Sequence, residues 1–212
     1  MGEFMAQHRE QIATACWQHL ALVLPCLGAA TLLAVALAVL VHRHPAAHAT
    51  SETLAGMALT VPAFAVLAVL LVLTGGGAVP GMLAVTFFAV LPVLRCTLRG
   101  LRGIPVVLSD SARGIGMGRL RMLTTVELPL AWPAVLAGIR VSARLSGGVA
   151  ALAAYTVGSG LGGLVFAGLA KRGDDAAGLA LSGLVGVVVL TAVLDLALVL
   201  LGRLTTARGL RG

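Results

Sequence analysis

Apolar positions along the chain gather into five long runs, at about residues 17–41, 53–73, 79–94, 130–155 and 179–201. Within each run leucine, alanine and valine follow one another without the two-residue alternation of a barrel strand. The lengths approach the ~20 residues that a helix needs to cross a bilayer. Hydrocarbon offers no partner to backbone polar groups outside a helix or a closed barrel, so the runs predict an all-α membrane protein of about five transmembrane helices. Proline punctuates them. Pro25 lies inside the first run, Thr60-Val61-Pro62-Ala63-Phe64 interrupts the second, and Pro92 falls near the end of the third. After the fourth run come the glycine-rich loop Gly158-Ser159-Gly160-Leu161-Gly162-Gly163 and a short apolar piece at 164–170.

Residues 106–133 break this pattern. Asp110, Arg113, Arg119, Arg121 and Glu127 crowd one stretch, and each charge at the bilayer centre would cost roughly 2.5–3.5 kcal/mol on insertion scales. The stretch is nonetheless ordered in pattern. Leu108, Ala112 and Ile115, then Leu120, Leu123 and Val126, recur at helical spacing, with Gly114, Gly116 and Gly118 between them. The spacing predicts two short amphipathic helices joined at the glycines, lying on the membrane surface and offered to a soluble partner. An interfacial hairpin without a partner is the alternative.

Composition agrees with a membrane location. The chain of 212 residues is 59% hydrophobic and 11% charged, with a mean hydropathy of +1.03, where a soluble domain carries about 25% charged residues. The net charge of +7 follows from where the basic residues sit and calls for no nucleic-acid partner. Arg43, Arg95, Arg99, Arg102, Arg113, Arg119, Arg121, Arg203, Arg208 and Arg211 fall on one side of the runs; Arg9, Lys171 and Arg172 fall on the other. The positive-inside rule then places the N-terminus outside, the C-terminus in the cytoplasm and residues 95–129 on the cytoplasmic side. Met1-Gly2-Glu3-Phe4, before a second methionine at Met5, reads as a cloning remnant, and residues 1–16 as an external segment rather than a cleaved signal. Cys16, Cys26 and Cys96 have no metal-ligand spacing and read as small packing residues. Pro45 directly after His44 argues against His44 and His48 sharing one helix as metal ligands, so no metal site is expected.

The runs carry three charges of their own. Arg140 and Arg144 lie in the fourth and Asp195 in the fifth. At about 1.5 Å per helical residue, Arg140 and Asp195 reach similar depths, which suggests a pair locking two helices. A gate or substrate contact, and snorkelling to the interface, remain open. The Thr60-Val61-Pro62 break either frees carbonyls to line a pathway or makes a packing kink. There is no Gly-x-x-x-x-Gly-Lys-Ser/Thr phosphate loop, no nucleophile with a base and no carboxylate dyad. The chain is expected to be non-catalytic.

The cytoplasmic stretch resembles the signature loop of ABC-importer permeases, Glu-Ala-Ala, three residues, Gly, nine residues, Ile-x-Leu-Pro. Here it reads Asp110-Ser111-Ala112, Gly116 and Val126-Glu127-Leu128-Pro129, with every spacing kept. Asp stands for Glu, Ser for Ala and Val for Ile. The likeness covers most of 17–205 and is nearest to the permeases of osmoprotectant importers, which carry glycine betaine, choline or carnitine. Thr60-Val61-Pro62-Ala63-Phe64, Leu91-Pro92-Val93-Leu94-Arg95, Ala112-Arg113-Gly114-Ile115-Gly116-Met117 and Leu136-Ala137-Gly138-Ile139-Arg140 carry it. Arg144 stands where the family has a small polar residue.

The resemblance implies a type I ABC importer permease fold: one transmembrane permease domain over 17–205, a coupling loop at 107–128 and a cytoplasmic tail at 206–212. It implies two ATPase subunits, which would use ATP and Mg, a second permease subunit of the same or a similar sequence, and an extracytoplasmic substrate-binding protein. Asp110, Ser111, Ala112, Arg113, Ile115, Gly116, Met117, Leu120, Leu123, Glu127 and Pro129 would couple to the ATPase. The apolar face, Ala112, Ile115, Leu120 and Leu123, would enter a groove of that subunit. Thr60, Pro62, Phe64, Arg140, Arg144, Tyr155 and Asp195 would line or gate the pathway. Aromatics are scarce, at 4%, and Phe64, Phe87, Phe88, Tyr155 and Phe166 do not assemble from sequence into a cage for a quaternary ammonium. High-affinity selection is therefore assigned to the binding protein. Amino acids or other small polar solutes are alternative substrates. An ion-coupled transporter or small channel, or a membrane scaffold that transports nothing, are alternative classes; ion coupling would rest on Asp195.

Overall fold

The computed structural model describes residues 7–171 and 173–206. The cloning remnant at Met1-Gly2-Glu3-Phe4 and the basic residues Arg172, Arg208 and Arg211 lie outside the described residues. The described chain is helical: α1 (Arg9–Val41), α2 (Pro45–Ala58), α3 (Ala63–Thr74), α4 (Ala78–Arg102), α5 (Val106–Gly114), α6 (Arg119–Met122), α7 (Leu128–Val157), α8 (Leu161–Ala170) and α9 (Asp174–Thr205). A π-helical turn, Leu123–Glu127, joins α6 to α7 without a break. Among the described residues four helices are long and apolar enough to cross a membrane, and α2 with α3, taken together as a bent pair, makes up to five.

Two elements depart from the hydropathy pattern. Helix α1 begins at Arg9, well before the apolar run at Trp17, because a helix continues through polar residues once its body is held. The second span is not straight: its two halves meet at 93°. Pro62 has no N–H and disfavours helical backbone at Val61, so the helix stops. Part of the break is closed locally. Thr60 N–H donates to Met57 O at 3.0 Å, Val61 N–H to Ala58 O at 3.3 Å, and Thr60 Oγ1 to Met57 O at 2.7 Å.

Helices α4 and α7 form the centre, with α1, α2 and α3 against α4, and α8 and α9 against α7. Lipid is as apolar as leucine, so helices in a bilayer associate through close packing of small residues and through hydrogen bonds. The α4–α7 seam shows both. Ala84, Ala89, Ala131, Ala143, Ala150 and Ala153 are buried, and Ser142 Oγ donates to Ala89 O at 2.6 Å. A Cβ at Gly138 would lie 2.9 Å from both Cys96 Cβ and Val93 Cα, so this crossing needs glycine. At the end of α7, Gln18 of α1 accepts a hydrogen bond from Gly160 N–H at 2.9 Å and ties the glycine-rich loop to the first span.

Candidate functional site: a helical hairpin and the open face of α7

The 105–128 stretch folds as a helical hairpin. Pro105 precedes α5, where its missing N–H costs nothing. The helix ends in a Schellman motif: Gly116 N–H donates to Arg113 O at 2.9 Å and Met117 N–H to Ala112 O at 3.0 Å. Gly116 holds φ at +78°, a left-handed conformation that residues with a Cβ disfavour by roughly 1–2 kcal/mol. The signature glycine is therefore the residue that stops α5 and turns the chain into α6.

The expected apolar face divides between two sides. Ala112, 5% exposed, and Met122 are buried, and Met117 and Leu123 are half-buried. Ile115 and Leu120 stand out at 75% and 74%, joined by Val106 and Val107. Sequence reasoning missed the two valines, although two apolar residues opening a helix after a proline were visible. Asp110 and Arg113 are exposed and pair with each other at 3.2 Å. Ser111 Oγ donates to Val107 O at 2.8 Å, and Pro129 is exposed in the first turn of α7.

Glu127, unlike the exposed members of the expected coupling set, is 7% exposed. Arg43 Nη2 lies 3.3 Å from each of its carboxylate oxygens, and His42 Nε2 lies 3.5 Å from Oε2. The carboxylate pins the 42–44 turn after α1 to the root of α7. Removing it takes the charged partner from the exposed Arg43 and breaks the link between α1 and α7; a hydrogen bond to a charged group contributes about 1.5–3 kcal/mol, and less where one partner is exposed. Glu127→Ala is expected to lower the thermal midpoint of the purified protein measurably, with Glu127→Gln between it and the parent. Unchanged melting of both variants would show that the pin is idle.

Within the membrane, Arg140 Nε and Nη2 each lie 3.0 Å from an oxygen of Asp195. This is the pair that equal helical depth suggested. Arg144 Nε is 3.6 Å from Asp195 Oδ1 and also approaches Arg140 O at 3.4 Å. Two guanidiniums thus share one carboxylate, and Arg144 stays exposed. Asp195 is engaged by both guanidiniums at once.

One face of α7 is left open. Ala137, Val141, Arg144, Gly148, Leu152 and Tyr155 are exposed at spacings of three and four residues, while the other residues of the helix beyond its first turn are buried or half-buried. The structure also brings together aromatics that sequence could not assemble. Tyr155 of α7 stands between Phe64 of α3 and Phe166 of α8, with both centroid separations 5.6 Å and both contacts edge-on. Phe64 reaches this place because the break at Thr60 and Pro62, both exposed, turns α3 toward α7. Phe87 and Phe88 meet edge-on, with centroids 5.2 Å apart.

The architecture is that of a type I ABC importer permease. It is similar to a solved chain of the MetNI methionine ABC transporter with a TM-score of 0.82, at 18% identity, over 95% of this chain and 99% of that one. The chain belongs to the family of binding-protein-dependent transport system inner membrane components, whose profile matches residues 30–206. It is 34% identical to the choline transport system permease protein of Bacillus subtilis over 209 residues, 99% of this chain and 95% of that protein. It is also 39% identical to the glycine betaine/carnitine/choline transport system permease protein of the same organism over 153 residues, 72% of this chain and 69% of that protein. The chain is accordingly a multi-pass membrane transport component.

Proposed function

We propose that the chain forms the membrane pathway of an ATP-driven importer of quaternary-amine osmoprotectants such as glycine betaine, choline or carnitine. It works as a dimer with a second permease subunit. It takes substrate from an extracytoplasmic binding protein and rests on two ATPase subunits that hold ATP and Mg. The N-terminus is outside and the C-terminus cytoplasmic. The observation that carries this reading is the hairpin: a Schellman turn at Gly116 presents Val106, Val107, Ile115 and Leu120 as an exposed apolar edge. The arm after that turn runs unbroken from Arg119 to Val157. Movement of the hairpin with an ATPase is thereby passed to the central span as a lever rather than through a slack linker. The edge enters a groove of the ATPase, and the exposed Arg119 and Arg121 meet its acidic rim.

The test is uptake of radiolabelled choline and glycine betaine into proteoliposomes that contain the whole assembly. Uptake is expected to need ATP and the ATPase subunit and to survive collapse of proton and sodium gradients. Uptake driven by a gradient without ATP would overturn the reading.

A further inference from the structure

We infer that Phe64, Tyr155 and Phe166 form a station for the quaternary ammonium group of the solute on its way through the membrane. The inference rests on the importer reading above and adds the place where this chain itself meets the substrate. The chain has five Phe, two Trp and one Tyr, yet three of these rings meet from three different helices. The two contacts around Tyr155 have interplanar angles of 62° and 66°, so the rings form a bent wall rather than a flat stack. Tyr155, at the middle of it, is 60% exposed, and Phe64 is exposed beside it.

A cation within about 6 Å of ring centroids is held by the negative faces of the rings. A quaternary ammonium cannot donate a hydrogen bond, so ring faces suit it better than hydroxyls or carbonyls. The wall also stands on a track. Tyr155 lies on the open face of α7, and inward from it come Leu152, Gly148 and Arg144. A Cβ at Gly148 would meet nothing within 4 Å, so no other part of this chain covers this stretch of the face. Arg144 is eleven residues from Tyr155, about 16 Å along the helix. That exceeds the span of one small betaine. The rings are therefore a station of their own, and the arginine cluster repels the cation from resting deeper. An interfacial tyrosine that only anchors the helix in lipid would need neither phenylalanine.

The experiment uses the complete assembly in proteoliposomes, with choline as substrate and tetramethylammonium as competing probe. Tyr155→Leu is expected to lower choline uptake at low substrate about tenfold and to weaken inhibition by tetramethylammonium to a similar degree. Phe64→Leu and Phe166→Leu are expected to give smaller losses, and Tyr155→Phe, which keeps the ring, to recover most of the uptake. Phe87→Leu, away from the wall, serves as the control. The inference is overturned if Tyr155→Leu transports like the parent, if Tyr155→Phe is as impaired as Tyr155→Leu, or if the leucine variants fail to co-purify with the ATPase. In the first case, parental ATP-dependent uptake of choline would leave the importer reading standing and remove only the aromatic station. Absence of ATP-dependent uptake in the parent would instead count against the importer reading.

Discussion

Replacing Gly116 by valine is expected to abolish substrate-stimulated ATP hydrolysis and uptake in the reconstituted assembly while the chain still inserts in the membrane. The reason is local. Gly116 sits at φ +78°, and its N–H and that of Met117 close the last turn of α5 on Arg113 O and Ala112 O. Left-handed backbone costs a residue with a Cβ roughly 1–2 kcal/mol, and a β-branched residue more. The hairpin is small and holds Ala112 and Met122 as its buried side chains, so it has little other packing to offset that loss. A penalty near 1.4 kcal/mol already depletes the docked form about tenfold. None of the transmembrane packing is touched, which is why insertion survives. Gly116→Asn is the discriminating control, because asparagine tolerates the left-handed region; it should retain much of the activity. Ala112→Asp should fail like the valine variant by charging a buried position. Normal substrate-stimulated hydrolysis in Gly116→Val would sink the coupling role of the hairpin.

The parts of this molecule that were legible in sequence are those governed by local pattern. Apolar length marked the spans. The 3.6-residue recurrence around Gly116 marked a helix on each side of the turn, but only the first is short, since the second continues unbroken from Arg119 to Val157; counting residues along helices brought Arg140 level with Asp195. Three features depended on partners far away in the chain. Glu127 looked like a surface charge beside a Leu-Pro step, and only its contact with Arg43, 84 residues earlier, shows that it faces inward. The 93° bend between α2 and α3 leaves hydropathy unchanged, because hydropathy records burial and not direction; Pro62 signalled a break without its angle. The aromatic wall needs that bend to bring Phe64 to Tyr155, so it was hidden for the same reason. The early start of α1 was missed because Arg9, Glu10 and Gln11 are polar. They remain helical as the outer turns of a helix whose body is held by Val23, Cys26 and Ala30 against its neighbours.

Asp195→Asn is expected to cut the yield of folded protein and lower its thermal midpoint, with uptake falling in step. Asp195 answers two guanidiniums: Arg140 at 3.0 Å through both oxygens and Arg144 at 3.6 Å. Neutralising it leaves two unpaired arginines well inside the spans, and each is costly at the bilayer centre by roughly 2.5–3.5 kcal/mol on insertion scales. Snorkelling of the exposed Arg144 relieves part of this, so the net loss should be nearer to one charge than to two. A double variant separates pairing from packing. Removing both partners of a buried ion pair is less harmful than removing one, because no stranded charge remains. Arg140→Gln with Asp195→Asn should therefore be more stable than Asp195→Asn alone, yet below the parent, since Arg144 has still lost its counter-charge. Adding Arg144→Gln, which removes the remaining charge left without a counter-ion, should restore stability further. If Asp195→Asn folds and transports as the parent does, the cluster is idle. If the double variant is no better than the single one, the loss comes from the carboxylate's packing and the charge argument fails.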